Sequence, residues 1–199
     1  MTLGAWDAGT PAAARDWLRG ADVPWWIAGG WALDLFVGRP TRGHGDLDVG
    51  CFRADLPDVR AALAGWELHV AREGRLRLLG PGAAPEAHEH ALWCRPAGAG
   101  AWQLEILLEE RTGGDWVFRR DPSVRRAARE LVSTAADGTA FLRPEVQLLY
   151  KAKGVRPRDE ADLAAVLPGL EGEARAWLRA ALARVHPGHP WIAALSRPR

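Results

Sequence analysis

The chain of 199 residues contains only two cysteines, Cys51 and Cys94, too few for a disulfide framework or for a zinc site made of cysteines. Both lie in apolar, strand-like surroundings, so we expect small buried side chains. No run reaches the roughly 18 consecutive apolar residues of a membrane-spanning helix. The N-terminal stretch also lacks the basic start and apolar run of a signal peptide. These absences predict a cytoplasmic protein with no membrane partner.

An excess of charge of one sign is also missing, because 26 Lys and Arg residues against 25 Asp and Glu residues leave a net charge of +1. Without a broad positive field, nucleic acid is not an expected partner unless a local patch binds it. Lysine is scarce: Lys151 and Lys153 are the only two, and they stand out from an arginine-rich background. The sequence does not decide whether the chain forms a homodimer, which is left open.

The spacing of apolar residues divides the chain into two parts. Up to about residue 119 the pattern is mixed: three early helices, over 10–20, 31–37 and 55–65, alternate with two short strands, and a run of strands separated by Gly and Pro clusters follows from Trp66. From residue 122 onward the pattern is helical, with proline-initiated helices over 144–153 and 157–167. We therefore predict an α+β fold, with one domain over residues 1–119 and a helical domain over residues 120–199.

The stretch from Trp26 to Val49 contains the strongest functional signal. A short apolar strand leads into Gly29 and Gly30, a helix follows, and two aspartates, Asp46 and Asp48, open the next strand. Side chains two apart on a strand leave the same face, and two adjacent carboxylates repel each other unless a cation lies between them. Glycines let backbone N–H groups approach an anion, and the helix N-terminus favours phosphate. This order predicts phosphate at the helix end and a hard divalent metal at the aspartates.

Each part also has a simpler explanation, since glycine pairs are common in strand-to-helix turns and Asp-X-Asp occurs in solvated turns. A third carboxylate would strengthen the metal hypothesis, and Glu105 is the best candidate because it interrupts an otherwise apolar strand. Unpaired burial of that charge would be costly, so it needs a partner or a metal. The alternative is that Glu105 faces solvent on the same side as Gln103.

Arg42 and His44 precede the aspartates. Arg42 is a candidate bidentate donor to phosphate, and a salt bridge to Asp34 is the structural alternative. His44 is a candidate contact to the nucleotide or a brace for the loop.

The motif resembles the antibiotic nucleotidyltransferases, most of all the branch with aminoglycoside 2''-adenylyltransferases and lincosamide nucleotidyltransferases. The resemblance rests on Gly-Gly-Trp-Ala-Leu-Asp at 29–34 and Thr-Arg-Gly-His-Gly-Asp-Leu-Asp-Val at 41–49. That family is part of the polymerase-β-like nucleotidyltransferase superfamily. The resemblance therefore implies a mixed sheet with flanking helices, followed by a helical C-terminal domain.

By position, the resemblance implies that Gly29 and Gly30 bind a nucleoside triphosphate and that Asp46 and Asp48 hold two magnesium ions. Glu105 stands where the family usually has Asp, so its role as metal ligand or base is open. A lysine of the C-terminal part would stabilise the triphosphate. Lys151 and Lys153 lie two apart on a predicted helix and so point to different faces, which leaves open the one that reaches the cleft.

The function implied is transfer of a nucleoside monophosphate, AMP from ATP in the first instance, to a hydroxyl of an aminoglycoside- or lincosamide-like molecule. An aminoglycoside would require an acidic cleft, for which the candidates are Glu105, Glu109, Glu110 and Asp115. One alternative is a toxin–antitoxin-type nucleotidyltransferase that acts on RNA or protein. The other is a degenerate relative that binds nucleotide without catalysis.

Overall fold

The computed structural model describes residues 3–196, which form a mixed sheet flanked by helices. The strands of the described residues are β1 (Ala5–Trp6), β2 (Trp25–Ile27), β3 (Asp48–Phe52), β4 (Trp66–Arg72), β5 (Arg75–Leu78), β6 (Ala91–Pro96), β7 (Ala101–Trp102), β8 (Leu104–Thr112), β9 (Asp115–Val117), β10 (Arg125–Ala127), β11 (Val132–Thr134) and β12 (Ala140–Leu142). The α-helices are α1 (Pro11–Trp17), α2 (Gly29–Val37), α3 (Leu56–Ala62), α4 (Pro144–Lys151), α5 (Pro157–Val166), α6 (Gly172–Val185) and α7 (Pro190–Ser196).

The main sheet is mixed, and its strand order is β11-β12-β2-β3-β8-β6-β4-β5. β9 pairs with one part of β8 and also with β10. The pairs β12–β2 and β3–β8 are parallel, and the other neighbours in that order are antiparallel. β1 and β7 form a separate parallel pair. This confirms the predicted α+β class.

The register of the central strands separates an apolar face from a polar one. Ile27 pairs with Val49, and Val49 pairs with Ile106; all three are fully buried. On the opposite face, Asp48 of β3 lies beside Glu105 of β8. Gly50, two residues further along β3, lies on that same face. Because side chains alternate along a strand, one face of β3 and β8 anchors the core while the other presents carboxylates.

The prediction of helical structure from residue 122 onward is wrong up to residue 142. Three strands, β10, β11 and β12, lie in this segment, and β12 pairs in parallel with β2 through Phe141 and Ile27. Each is only three residues long, too short to show the alternation of apolar and polar residues that identifies a strand in a sequence. β10 and β11 pair with strands close to them in the chain, β9 and β12, and only the pair of β12 with β2 joins distant segments. Helical structure resumes at Pro144. The division of the chain between residues 119 and 120 stays a prediction.

The helices from Pro144 onward pack against α2 and against one another. α2 packs against both α4 and α5, and α4 packs against α6, which contacts α7. Cys51 and Cys94 are free and buried, as expected. No helix within residues 3–196 is long and apolar enough to cross a membrane.

Candidate active site

A cavity of about 390 Å³ lies between the polar face of the sheet and the helices α4 and α5. The glycine turn and the aspartates form one part of its wall, through Gly29, Gly30, Asp46 and Asp48. Gly50 and Leu107 form part of the sheet surface beside them. The sequence motif and the C-terminal helices therefore meet at a single cavity.

Gly29 is fixed by its backbone conformation and by its neighbour. Its φ is +64°, and a Cβ built there would lie 1.9 Å from a carboxylate oxygen of Asp48. The Gly29 N–H donates to the Gln147 side-chain oxygen at 2.8 Å, in a buried hydrogen bond that ties α4 to the turn. In this structure Gln147, rather than an anion, accepts from the Gly29 N–H, so the predicted phosphate contact of this group stays a prediction.

Replacing Gly29 with alanine is expected to reduce both stability and turnover, because the new methyl group would displace the Asp48 carboxylate. The matched control is Gly113→Ala. Gly113 has a similar φ of +61°, but no atom lies within 4 Å of a Cβ built there. The control should lose only the left-handed conformational cost, about 1–2 kcal/mol. Thermal unfolding and nucleotide turnover of both variants test this, and equal losses at the two positions would contradict the clash with Asp48.

The two predicted strand carboxylates, Asp48 and Glu105, lie beside each other in the parallel pair of β3 and β8. Burial raises the pKa of Asp48 well above its usual range, and the negative charges of Glu105 and Asp46 raise it further. Burial also raises the pKa of Glu105, although hydrogen bonds from Asp48 and Trp93 lower it. Like charges are thus concentrated at one partly buried point, where Glu105 faces Asp48 rather than open solvent.

This carboxylate set fits a hard divalent cation by its chemistry. Oxygen ligands are those that magnesium prefers, and a cation would relieve the repulsion between Asp48 and Glu105. Across residues 3–196 no group of three or more His, Cys, Asp or Glu side chains is close enough to form a complete metal-binding cluster. The fit therefore rests on the adjacent pair, with Asp46 at the cavity wall as the third acid.

His44 and Asp34 brace the loop that carries the aspartates. His44 Nε2 lies 2.6 Å from Asp34, both side chains are almost fully buried, and the imidazole packs on Trp31 with ring centroids 4.3 Å apart. Thr41 donates to the same carboxylate through its hydroxyl and its N–H. The bracing interpretation of His44 is favoured by these contacts, whereas its contact with nucleotide stays a prediction.

Arg42 does not pair with Asp34, so that alternative is wrong. Its guanidinium instead forms a two-pronged contact with Asp162 of α5, at 2.8 and 3.2 Å. The reason is that His44 and Thr41 already occupy the Asp34 carboxylate. Arg42 still lines the cavity, and its pKa is raised chiefly by the hydrogen bond to Asp162.

Lys151 and Lys153 both line the cavity. Lys151 is nearly buried, and its Nζ lies 2.8 Å from Asp162 and 3.3 Å from Asp159. Lys153 belongs to a short 3-10 turn over 152–154 after α4 and is exposed. Both lysines therefore contribute to the cavity wall, Lys151 from within its ion pairs and Lys153 from an exposed position, and the one that contacts a nucleotide stays a prediction.

Asp159 is the second carboxylate beside Lys151, and it also binds Arg156. Arg156 donates to it from its backbone N–H at 3.0 Å and from its side chain at 2.7 Å. Burial alone would raise the pKa of Asp159, but the hydrogen bonds from Arg156 and the charge of Lys151 lower it from 3.8 to about 2.

The stability supplied by Asp159 should depend on pH in a defined window. Its folded pKa is depressed, so the stabilisation is fully present above the unfolded value near 4 and is lost as pH falls toward about 2. A depression of this size contributes about 2 kcal/mol to the free energy of unfolding. Denaturant unfolding of the unmodified protein and of Asp159→Asn should differ by that amount at pH 6, by about half of it at pH 3, and converge only below about pH 2. A difference that persists unchanged at pH 2.5 would contradict the assignment.

The far part of the cavity contains a buried acid with two donors. Glu109 accepts hydrogen bonds from the Tyr150 hydroxyl at 2.6 Å and from the Trp116 indole at 2.7 Å, and burial raises its pKa. Arg119 and Arg120 lie over the Tyr150 ring, at 5.2 and 5.1 Å from its centroid. The basic pair at the end of the sheet thus belongs to the cavity wall.

The predicted acidic cleft does not form from the four suggested residues. Glu110 pairs with Arg53 at 2.7 Å, and Asp115 is exposed in the β8–β9 hairpin. Of the four candidates only Glu109 is in the wall of the cavity, while Glu105 lies beneath it against Asp48. Sequence reasoning did not identify Gln147, Asp159 or Asp162 as site residues. The one indication available was that each is a polar residue on the buried side of a predicted helix.

Comparison with known proteins places these residues in a family context. Residues 12–76, which include the glycine turn and both aspartates, match the family model "Aminoglycoside-2''-adenylyltransferase". A 2''-aminoglycoside nucleotidyltransferase of Escherichia coli is 27% identical over 161 residues, covering 66% of this chain and 89% of that protein. A Klebsiella pneumoniae protein of the same name shows the same identity and coverage.

Two solved structures share the fold. The lincosamide antibiotic adenylyltransferase LnuA with lincomycin bound has a TM-score of 0.54 at 16% identity, covering 78% of this chain and 93% of that chain. ANT(2'')-Ia in complex with adenylyl-2''-tobramycin has a TM-score of 0.53 at 16% identity, covering 88% of this chain and 94% of that one. At these identities the likeness concerns the fold.

Proposed function

We propose that this chain, which belongs to the antibiotic nucleotidyltransferase family, transfers AMP from ATP to a hydroxyl group of a small antibiotic-like molecule in a magnesium-dependent reaction. The single observation that carries the proposal is the meeting of the glycine turn, the carboxylates and the lysine-bearing helix at one cavity. Triphosphate binding would use the basic side chains of this wall, and the carboxylates would lie at the reacting end.

Charge placement supports this division of roles. Arg42, Lys151 and Lys153 bring positive charge to the cavity, and a triphosphate carries up to four negative charges. Asp46, Asp48 and Glu105 are the residues that would hold magnesium, which neutralises phosphate charge and polarises the α-phosphate when bound. Positioning and charge stabilisation supply most of the rate enhancement in phosphoryl-group chemistry.

In the reaction, the acceptor oxygen forms a bond to the α-phosphorus as the bond to the pyrophosphate oxygen breaks. The hydroxyl proton passes to a carboxylate, for which Glu105 is the proposed base, and since Glu105 does not line the cavity itself the proton would reach it through water. Burial of Glu105 beside Asp48 raises its pKa, which improves a carboxylate as a proton acceptor at neutral pH. Arg42 and Lys151, held by Asp162, would keep the phosphates in place during the transfer.

The test is pyrophosphate release from ATP, GTP, CTP and UTP in the presence of magnesium, screened over aminoglycosides and lincosamides. The proposal expects release that depends on one acceptor and on magnesium, with ATP as the best donor. Nucleotide that binds with magnesium but releases no pyrophosphate with any acceptor would instead indicate a degenerate relative that only binds nucleotide.

A further inference from the structure

The side-chain amide of Gln147 uses only one of its two polar groups within the protein. Gln147 belongs to α4, is 6% exposed and lines the cavity. Its Oε1 accepts from the Gly29 N–H at 2.8 Å, whereas its Nε2 donates to no atom within residues 3–196. Buried amides normally have partners for both groups. An unpaired Nε2 at the wall of a cavity therefore indicates a donor whose partner is a ligand.

The contact with Gly29 fixes which end of the amide is available to that ligand. A backbone N–H needs an acceptor, and an amide nitrogen cannot accept, so Oε1 must lie on Gly29 and Nε2 must point away from it. Gly29 lies against the Asp48 carboxylate, since a Cβ built there would almost coincide with it. The backbone donor of the turn is thus replaced, as the group open to a ligand, by the two N–H groups of Gln147.

The neighbours of Gln147 favour an anionic ligand. Lys151 follows one turn later on α4, so the two side chains leave the same face of the helix, and both line the cavity. Asp48, on the other side of Gly29, is one of the residues that would hold magnesium, which binds phosphoryl oxygens. A hydrogen bond from an amide to a charged oxygen is also stronger than one to a neutral oxygen.

We infer that Gln147 binds the triphosphate: its Nε2 donates to a phosphoryl oxygen, and its Oε1, held by Gly29, sets the direction of that donation. The inference rests on the proposed function, because it takes the ligand of this wall to be a nucleoside triphosphate. One hydrogen bond to a charged group changes affinity by about tenfold or more. The alternative is a purely structural role, in which Gln147 only ties α4 to the glycine turn.

The exchange Gln147→Glu separates the two roles. Glutamate has nearly the same shape and still accepts from the Gly29 N–H, but it cannot donate and its charge repels phosphate. The ligand is α,β-methylene-ATP, whose α–β bridge cannot be cleaved, titrated calorimetrically in magnesium. We expect its affinity for Gln147→Glu to be lower by at least about tenfold than for the unmodified protein. A smaller loss would overturn the inference, because a structural contact with Gly29 survives this change.

The matched control is Gln103→Glu. Gln103 is the only other glutamine of the chain, and it lies two residues before Glu105 and outside the cavity wall. The control adds the same charge near the same acids without touching the glycine turn. Its affinity for α,β-methylene-ATP should stay within about threefold of that of the unmodified protein. A loss equal to that of Gln147→Glu would overturn the inference, since any added charge would then explain the effect.

A second variant, Gln147→Met, is neutral and keeps the length of the side chain, so it tests the proposal even if a glutamate at this buried position unfolds the protein. Methionine removes the donor and also frees the Gly29 N–H. If Gln147 donates to phosphate, Gln147→Met binds α,β-methylene-ATP more weakly than the unmodified protein. Unchanged or tighter binding would overturn the inference, because Gln147 would then do no more than occupy the Gly29 N–H. Thermal unfolding without ligand shows that each variant is folded.

Inorganic tripolyphosphate distinguishes failure of this inference from failure of the proposed function. It carries the phosphates of the nucleotide without the nucleoside, and it is titrated both with and without magnesium. Gln147→Glu should weaken its binding as it weakens that of α,β-methylene-ATP. An unmodified protein that binds tripolyphosphate but not the nucleotide would contradict the proposed function, and the loss in Gln147→Glu would still measure the donor. Binding of neither ligand by the unmodified protein would contradict both proposals.

Discussion

Exchange of Asp46 and Asp48 together for asparagine is expected to lower kcat/KM for nucleotidyl transfer by at least about 10³-fold while the protein stays folded. Asparagine keeps the shape and one oxygen of each side chain but removes the charge that would hold magnesium. The fold should persist because Asp48 lies partly buried beside Glu105, where its charge opposes folding rather than supporting it. A site that gains function from adjacent like charges commonly loses stability to them.

The measurements are pyrophosphate release at saturating magnesium and thermal unfolding without it. Asp58→Asn is the matched control, because Asp58 is exposed on α3 and should change neither quantity. The double variant should unfold at the same temperature as the unmodified protein or higher. Retention of more than a tenth of the activity would remove the two aspartates from the mechanism, and loss of the fold would show that their charges have structural partners.

The sequence was sufficient for the parts of the site that are close together along the chain. Gly29, Gly30, Asp46 and Asp48 lie within twenty residues, and the glycine turn beside the next strand predicts their convergence. The strand begins at Asp48 rather than at Asp46 as predicted, so Asp46 reaches the cavity from the loop before β3. Glu105 was also accessible, because a charge inside an apolar strand requires a partner. The structure places it directly beside Asp48. The predicted fold class is confirmed for the same reason, since most of its strands and helices follow clear local periods.

Contacts between distant segments could not be predicted in this way. Gln147 and Asp162 are ordinary polar residues in their helices, and only the packing of α4 and α5 against α2 brings them to the turn and to Arg42. The strand that ends at Leu142 joins the sheet through a single pair with Ile27. Local sequence patterns do not predict such pairings, because the packing that stabilises them forms only in the folded chain.

Asp162 links both halves of the site, and its replacement should have the largest effect on stability. Its side chain is 2% exposed and accepts from Arg42 at 2.8 Å and from Lys151 at 2.8 Å. Replacement by alanine leaves Arg42 without a carboxylate partner and Lys151 with Asp159 alone. Breaking a buried ion pair from one side costs about 3–5 kcal/mol, because the remaining charge stays desolvated. We expect a loss of that order in the free energy of unfolding, measured by urea denaturation at pH 7.

A double-mutant cycle separates this ion-pair effect from simple loss of packing. Arg42→Ala combined with Asp162→Ala should destabilise the protein by less than the sum of the two single variants, since the second change removes a charge that the first left unpaired. Asp58→Ala, at an exposed position, should cost no more than about 0.5 kcal/mol. Strict additivity in the cycle would mean that Arg42 and Asp162 are not energetically coupled. With coupling, nucleotide KM in Asp162→Ala should rise more than kcat falls, because Arg42 and Lys151 would no longer be held at the cavity wall to receive the triphosphate.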